Sequence, residues 1–325
     1  MTATPALTPE QKEHFLTHGW LKIPAAFTRE QAAEFIENVW TRLGMSPEDK
    51  STWTQSRIHM PCHKTYDAAE FAPKAWAAIA ELCGGEDRID PECRRWQDSL
   101  IVSLGSPERE GKPDPPQDLE GWHVDGDFFV HYLDSREQGL LVIPLFTDIA
   151  PGGGATMICP EAISTVAKHL YEHPEGVSPR MTPRGEPDFT KEKDLAWFNS
   201  LAKRSTHFVE ATGQIGDVYL LHPLMLHSAS SNPLRNVRII TNPKVSLKQE
   251  HVFNRPDGDY SLVELKTLKD LGKENLGDWK ATGAREEVIP ERVRIQARMK
   301  AEELKRLAEI KKSAEVSTTE VSIAA

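Results

Sequence analysis

The sequence predicts a mainly β fold, an antiparallel sandwich or barrel, with helices flanking it on both sides along the chain. Short apolar runs recur between residues 99 and 241 without the alternating helices that a parallel sheet requires. The 90 residues before them read as helical and carry helix start signals, and a charge-dense segment follows residue 290. These observations place a sheet-rich core between two helical regions.

The N-terminal helices are predicted from their caps. Thr8 precedes Pro9, which suits the first position of a helix. Thr28 with Gln31 has the capping-box form, in which each residue bonds the backbone of the other. A further helix is predicted over residues 73–82, where two glycines follow.

The strands are predicted from apolar runs bounded by turn residues. The stretch 106–120 is rich in Pro, Gly and charge and indicates a surface loop, while 160–206 indicates helix and loop. The predicted strands are 20–23, 99–104, 139–146, 154–159, 207–210, 218–221 and 237–241.

The C-terminal segment is predicted to be a charged helix over residues 292–315, followed by a flexible tail over 317–325. Its apolar residues recur at helical spacing. The helix therefore either packs on the core or makes a contact between copies in a homo-oligomer.

Composition excludes several classes of protein. The 325 residues carry 39 Lys and Arg against 49 Asp and Glu, a net charge of −10 that argues against nucleic acid as a partner. No run approaches the roughly 18 apolar residues of a membrane span, and no secretory signal is visible at the N-terminus. The four cysteines lack CxxC spacing, which predicts reduced thiols and a cytoplasmic protein.

One short motif points to metal chemistry. In a strand, residues i and i+2 share a face, so His123 and Asp125 would present an imidazole and a carboxylate side by side. A histidine from elsewhere would complete a 2-His-1-carboxylate site with open coordination positions. The similar pair His173 and Glu175 lies in a Pro-rich stretch where this geometry is not expected.

Two later histidines compete for the third position. His222 and His227 both lie in apolar surroundings, where a buried core histidine is the usual outcome. Arg238 follows His227 on the next predicted strand, so one site could hold a metal and the distal carboxylate of a dicarboxylate. The residue at the same spacing from His222 is Pro233, which cannot serve, and His227 is therefore the predicted ligand.

The order of these motifs resembles one known family. Leu-Thr-Pro-Glu-Gln at 7–11 precedes Gly-Trp-Leu at 19–21, Trp-His-Val-Asp occupies 122–125, and a glycine-led strand occupies 152–158. A distal motif runs from Gly216 through His227 to Asn232 and Arg238. Over residues 7–250 the chain resembles the phytanoyl-CoA dioxygenase-like family of non-haem iron, 2-oxoglutarate-dependent oxygenases.

The resemblance implies a double-stranded β-helix, the jelly roll of cupin-like proteins, over about residues 96–250. It implies that His123, Asp125 and His227 bind Fe(II) and that Arg238 binds the C5 carboxylate of 2-oxoglutarate. Because His123 and His227 must meet at one metal, we expect a single domain over residues 1–290, with N-terminal helices over 7–90.

Four further residues are candidates for contact with the co-substrate or the substrate. Thr156 would assist Arg238, and Ser103 falls where relatives line the pocket. Gln97 falls there too, and Phe128 is an aromatic residue close to the metal motif, so both are candidates for substrate contact. Ordinary strand polarity explains Gln97 and Ser103 as well, and core packing explains Phe128 as well.

The implied activity is oxidation of a C–H bond of a small organic substrate, typically in secondary metabolism. O2 and 2-oxoglutarate would be consumed, and succinate and CO2 released. Hydroxylation, desaturation, epoxidation and ring formation all remain open as outcomes. Family members that halogenate lack the carboxylate ligand, so the presence of Asp125 argues against halogenation.

Two other functions are compatible with parts of the pattern. The first is a non-catalytic jelly-roll binding or scaffold protein with a vestigial metal site. The second is a cupin-like metal dioxygenase that does not use 2-oxoglutarate. The complete set of ligands speaks against the first, and Arg238 speaks against the second.

Overall fold

The computed structural model describes residues 5–189 and 194–323, in which short antiparallel strands lie between helices. The helices are α1 (Pro9–His18), α2 (Arg29–Phe35), α3 (Val39–Leu43), α4 (Ala68–Phe71), α5 (Pro73–Leu82), α6 (Ala162–Glu172), α7 (Ala196–Arg204), α8 (Leu262–Leu271) and α9 (Arg292–Ile323). The strands are β1 (Trp20–Ile23), β2 (Arg57–His59), β3 (Thr65–Asp67), β4 (Arg95–Gln97), β5 (Ile101–Ser103), β6 (Leu140–Pro144), β7 (Thr156–Cys159), β8 (Val209–Glu210), β9 (Val218–Leu221), β10 (Leu226–Ala229), β11 (Arg238–Ile240) and β12 (Lys244–Val245).

A four-stranded sheet in the order β1-β9-β6-β12 separates two hydrophobic clusters. Alternate residues of β6 enter different clusters: Leu140 and Val142 enter one, Leu141 and Ile143 the other. This alternation follows from the pleat of a strand. Every residue of β6 is consequently buried, as the unbroken apolar sequence predicts.

Two three-stranded antiparallel sheets carry the residues discussed below. One has the order β10-β7-β8 and the other the order β11-β5-β2, while β3 and β4 form a separate pair. The second sheet has one apolar face, on which Ile58, Val102 and Ile239 lie in register and are buried. Neighbouring residues of a strand point to opposite faces, so the other face carries Arg57, His59, Ser103 and Arg238 together with Ile101 and Ile240.

Most predicted elements are present. Both capping boxes form, at Thr8 with Gln11 and at Thr28 with Gln31, and helix 73–82 has its predicted limits. The apolar runs yield β1, β5, β6, β7, β8, β9 and β11. The helical assignment of the first 90 residues is wrong over β2 and β3, where three-residue strands pair with distant partners that local sequence does not reveal.

The C-terminal helix α9 contacts α3 and continues to Ile323, past the predicted end at residue 315, because neither Gly nor Pro interrupts it. Glu303 of this helix is buried, whereas Leu304 and Ile310 are exposed. Among the described residues, no helix is both long and apolar enough to cross a membrane. All four cysteines are free.

Candidate metal centre

The metal motif pairs directly with the strand that carries the third predicted ligand. His123 and His227 exchange both backbone hydrogen bonds, with N–O distances of 2.9 and 3.0 Å. Their ring centroids lie 4.3 Å apart. The expected strand through the motif does not form, since His123 is an isolated bridge and Asp125 lies at a bend. The bend nevertheless leaves the Asp125 carboxylate beside both imidazoles.

The three side chains converge on one point. Asp125 Oδ1 lies 3.4 Å from His123 Nε2 and 3.6 Å from His227 Nε2. One ligand atom from each residue lies within 4.8 Å of the others, a cluster that could hold a metal ion. His227 is 6 % exposed, while the Asp125 side chain is 36 % exposed, so the cluster is buried on one side and open on the other.

In each of the three residues, the side-chain atom that faces away from the cluster makes a hydrogen bond that orients the side chain. The Nδ1–H of His123 donates to Gly121 O at 2.8 Å, and that of His227 donates to Met225 O at 3.0 Å. Because a carbonyl oxygen only accepts, each Nδ1 keeps its proton, and Nε2 is the ring atom that could bind a metal in place of a proton. Asn242 Nδ2 donates to Asp125 Oδ2 at 3.4 Å, which leaves Oδ1 facing the histidines.

The electrostatics of the cluster favour a bound cation. Burial opposes ionisation of Asp125, but hydrogen bonds from His123 and His227 outweigh it and hold the pKa of the carboxyl well below its usual range. Burial also opposes protonation of His227, but Asp125 raises the pKa of His227 above its ordinary value. A metal ion would take the place of the proton that this arrangement attracts.

The turn after the ligands requires glycine. Gly126 has a φ of +121°, and a Cβ at this position would lie 2.6 Å from Phe129 and 2.8 Å from His131. His131 is fully buried and its Nε2 bonds the Gly126 carbonyl oxygen at 2.6 Å. Close packing of this histidine against the turn therefore fixes the segment that carries Asp125.

Arg238 is a buried cation whose charge no described acidic residue compensates. It is 2 % exposed, and Nη2 donates to Thr156 Oγ1 at 2.7 Å. Its Nε has no hydrogen-bond partner, and no ion pair joins it to an acid of the described residues. Burial and then the charge of Arg57 lower the pKa of Arg238 to about 9, so the guanidinium stays charged at neutral pH. An unpaired buried guanidinium is costly, and a bound carboxylate would relieve that cost.

The hydrogen bond from Arg238 to Thr156 joins the two three-stranded sheets. On β7, Thr156 lies two residues from Ile158, which is opposite His227 on β10. Two residues of a strand span about 6.8 Å, close to the length of an extended five-carbon dicarboxylate. Ser103 is buried and lies opposite Arg238 in the second sheet. The structure thus brings Thr156 and Ser103 to Arg238.

His222 lies outside this cluster. It is fully buried, and its Nε2 lies 3.0 Å from Thr267 Oγ1, while its Nδ1 accepts from Leu224 N. Both ring nitrogens are therefore engaged in the core. His173 pairs with Glu175 at 2.8 Å and belongs to no described three-residue cluster.

The two candidates for substrate contact make their observed side-chain contacts away from the three ligands. Gln97 lies on β4 rather than on the strand of Ser103, and its exposed side chain accepts from Ser99. Phe128 is half-buried and packs edge-on against Phe129, with ring centroids 5.0 Å apart. No hydrogen bond or ring contact of either residue involves the three ligands, so their predicted role stays a prediction.

Sequence reasoning missed several polar residues near the cluster. Asn242 could have been found, since it lies four residues after Arg238 and so shares its face in an extended chain. Arg57 and His59 lie on β2, which the sequence did not indicate. Arg292, at the start of α9, holds Asp127 in a two-bond ion pair with both distances 2.6 Å. Beside that pair lies a cavity of about 570 Å³.

No family model and no curated protein matches this sequence. Solved structures provide distant similarity only. One is SnoK, a non-haem alpha-ketoglutarate-dependent carbocyclase from nogalamycin biosynthesis, with 16 % identity and a TM-score of 0.40 over 76 % of this chain and 87 % of that chain. A second is EctD from S. alaskensis with 2-oxoglutarate and 5-hydroxyectoine, with 15 % identity and a TM-score of 0.42 over 76 % and 78 % of the two chains.

A third is HygX from Streptomyces hygroscopicus with nickel and 2-oxoglutarate bound, with 14 % identity and a TM-score of 0.38 over 74 % of this chain and 88 % of that chain. SnoK is alpha-ketoglutarate-dependent, and EctD and HygX were solved with 2-oxoglutarate bound. Similarity at this distance does not assign a function, and the assignment below therefore rests on the residues of this chain.

Proposed function

We propose that this protein is an Fe(II)- and 2-oxoglutarate-dependent oxygenase of the phytanoyl-CoA dioxygenase-like family, with a jelly-roll core. The observation that carries the proposal is the position of a buried, unpaired guanidinium beside a His-Asp-His cluster. The cluster offers two imidazoles and one carboxylate, a donor set that suits non-haem iron and leaves coordination positions open. Arg238 offers a fork of donors that matches a carboxylate.

Each proposed role follows from a contact described above. His123, Asp125 and His227 would hold the iron, and Asn242 would hold the outer oxygen of Asp125. Arg238, supported by Thr156 and with Ser103 opposite, would bind the distal carboxylate of 2-oxoglutarate.

When bound, the iron would supply O2 chemistry that splits 2-oxoglutarate into succinate and CO2 and oxidises a substrate C–H bond. This chain orients the ligands and neutralises the co-substrate. We further propose a small-molecule substrate, a single domain over residues 1–290 and a cytoplasmic location, the last because all four cysteines are free.

The test is succinate formation by the purified chain with Fe(II), 2-oxoglutarate and O2. Slow turnover without substrate is expected in the wild type and is expected to be absent without iron. Arg238→Gln should lose it, and Arg95→Gln, which removes one exposed arginine elsewhere, should keep it. Metal binding without 2-oxoglutarate binding would instead support a cupin-like enzyme, and binding of neither would support a scaffold protein.

A further inference from the structure

Two arginines lie in one row on the same face of the sheet β11-β5-β2. Ser103 of the central strand is paired with Arg238 on one side and with Arg57 on the other. Residues directly opposite each other in antiparallel strands point to the same face. The side chains of Arg57 and Arg238 therefore leave the same side of the sheet, about two strand spacings, or roughly 10 Å, apart at the backbone.

Arg57 has no partner of its own among the described residues. No hydrogen bond and no ion pair joins its guanidinium to any of them, although burial lowers the pKa of the group. The residue nevertheless keeps access to solvent on β2. Arg292 is different, because Asp127 already neutralises it.

Several basic side chains lie around Arg57 and the metal cluster. His59 lies two residues after Arg57, on the same face of β2. Burial, followed by the charges of Arg57, His123, Arg238 and Arg292, lowers the pKa of His59 to about 4. His59 is therefore neutral near pH 7, and the groups that act on it are all potential cations.

The large cavity beside Asp127 has the opposite character. Its charged lining residues are two arginines and four acids, Asp127, Glu286, Glu287 and Glu291. An anionic group would meet excess negative charge there. The face that carries Arg57 is consequently the better place for an anion.

Resting on the proposed function, we propose that Arg57 binds a carboxylate of the substrate, so that the enzyme oxidises a small organic acid. Under that function Arg238 is used by 2-oxoglutarate, and Arg57 is the arginine on this face that remains without a counter-ion. A single guanidinium matches one carboxylate in a two-bond fork. A polyphosphate would need several cations, and the net charge of −10 disfavours it further.

The experiment uses the full chain loaded with Ni(II), which is redox-inert here, and 2-oxoglutarate. Isothermal titration calorimetry measures binding of a series of three- to ten-carbon monocarboxylic and 2-amino acids, each compared with its primary amide. The variants are Arg57→Gln, Arg57→Lys, Arg238→Gln and the control Arg95→Gln, and circular dichroism checks that each is folded. Acids that bind are then tested for faster succinate formation with Fe(II).

We expect at least one acid to bind the wild type at least tenfold more tightly than its amide. Arg57→Gln should remove that preference while it keeps the wild-type affinity for 2-oxoglutarate, Arg57→Lys should keep part of it, and Arg95→Gln should keep all of it. The proposal is overturned if no acid is preferred over its amide, or if Arg57→Gln keeps the preference.

A different result identifies a different error. If Arg57→Gln weakens 2-oxoglutarate binding as strongly as Arg238→Gln does, Arg57 is part of the co-substrate site and the proposal is wrong. If the wild type binds no 2-oxoglutarate before any acid is added, the proposed function itself fails, and the assignment of Arg57 fails with it.

Discussion

Two buried arginines of this chain have opposite surroundings. Arg42 is 3 % exposed and is held by Asp98 at 2.8 Å and by Glu303 of α9 at 2.9 Å. Asp98 also accepts from the backbone N–H groups of His63 and Lys64. Arg238 is 2 % exposed and has one hydroxyl partner and no carboxylate. Carboxylates of the chain therefore neutralise the charge of Arg42, whereas none neutralises the charge of Arg238.

The difference separates a structural site from the proposed binding site. Burial of a charge is tolerated when partners satisfy it, as around Arg42, where the network fastens α9 to α3. An uncompensated buried charge lowers stability unless a ligand completes it, and binding sites hold such groups ready. The predictions below test whether these two regions divide the work of stability and binding in this way.

The largest effect is expected from the ligands of the proposed metal. Replacing a residue that only supports a metal ligand typically weakens metal affinity roughly 10- to 100-fold. His123→Ala removes a ligand itself and should weaken Fe(II) or Ni(II) binding by more than that. His222→Ala is the comparison, because its ring nitrogens are engaged in the core. Calorimetric titration of the metal measures the effect. Loss of metal binding in a folded His222→Ala protein, with binding retained in His123→Ala, would refute the ligand assignment.

The next prediction compares two variants, in each of which one of the two arginines is replaced by leucine. Arg42→Leu leaves two buried carboxylates without their partner and should destabilise the fold by about 3–5 kcal/mol. Arg238→Leu removes an unpaired charge and should leave the free energy of unfolding unchanged or raised, while it abolishes 2-oxoglutarate binding. Urea unfolding measures the free energy of unfolding, and calorimetry measures the binding of 2-oxoglutarate. Equal destabilisation by both substitutions would remove the distinction between the regions.

The sequence indicated the residues of the proposed binding region more clearly than those of the structural network. Local sequence motifs indicated each of the four residues His123, Asp125, His227 and Arg238. The structure then places the first three in one cluster. Arg42 and Glu303 are 261 residues apart in the chain, and no local sequence pattern predicts their contact.

The polar row on β2 was missed for a related reason. A three-residue strand such as Arg57–His59 has too few positions to show a period of two. Its place beside β5 depends on long-range pairing. Residues of this kind therefore emerge only when the register of the sheet is known.

A third prediction concerns pH in the binding region. Burial lowers the pKa of His131 to about 4, whereas an unfolded chain titrates this residue near its ordinary value of 6.5. As pH falls from 6.5 to 4, the unfolded chain takes up a proton that the folded chain does not, so stability falls by about 3 kcal/mol from this residue. His131→Gln should flatten the profile of unfolding free energy against pH over that window. An unchanged slope would show that His131 is protonated in the folded protein.

The smallest effect is expected at Asn242, which supports the binding region from outside. Its hydrogen bond to Asp125 Oδ2 is long, at 3.4 Å, and is therefore weak. Asn242→Ala should weaken metal affinity by about tenfold, the lower end for residues that orient a ligand. The matched control is Asn254→Ala, which removes another exposed amide, one that bonds Gly277 O instead.

The free energy of unfolding without metal should stay the same in both variants, because neither side chain is buried. If Asn242→Ala lowered stability as well as metal affinity, the support of Asp125 would also be part of the fold, and the division between the two regions would be less sharp than their arginines indicate. If the metal affinity of Asn242→Ala equalled that of the control, the bend and Gly126 alone would hold the carboxylate in place.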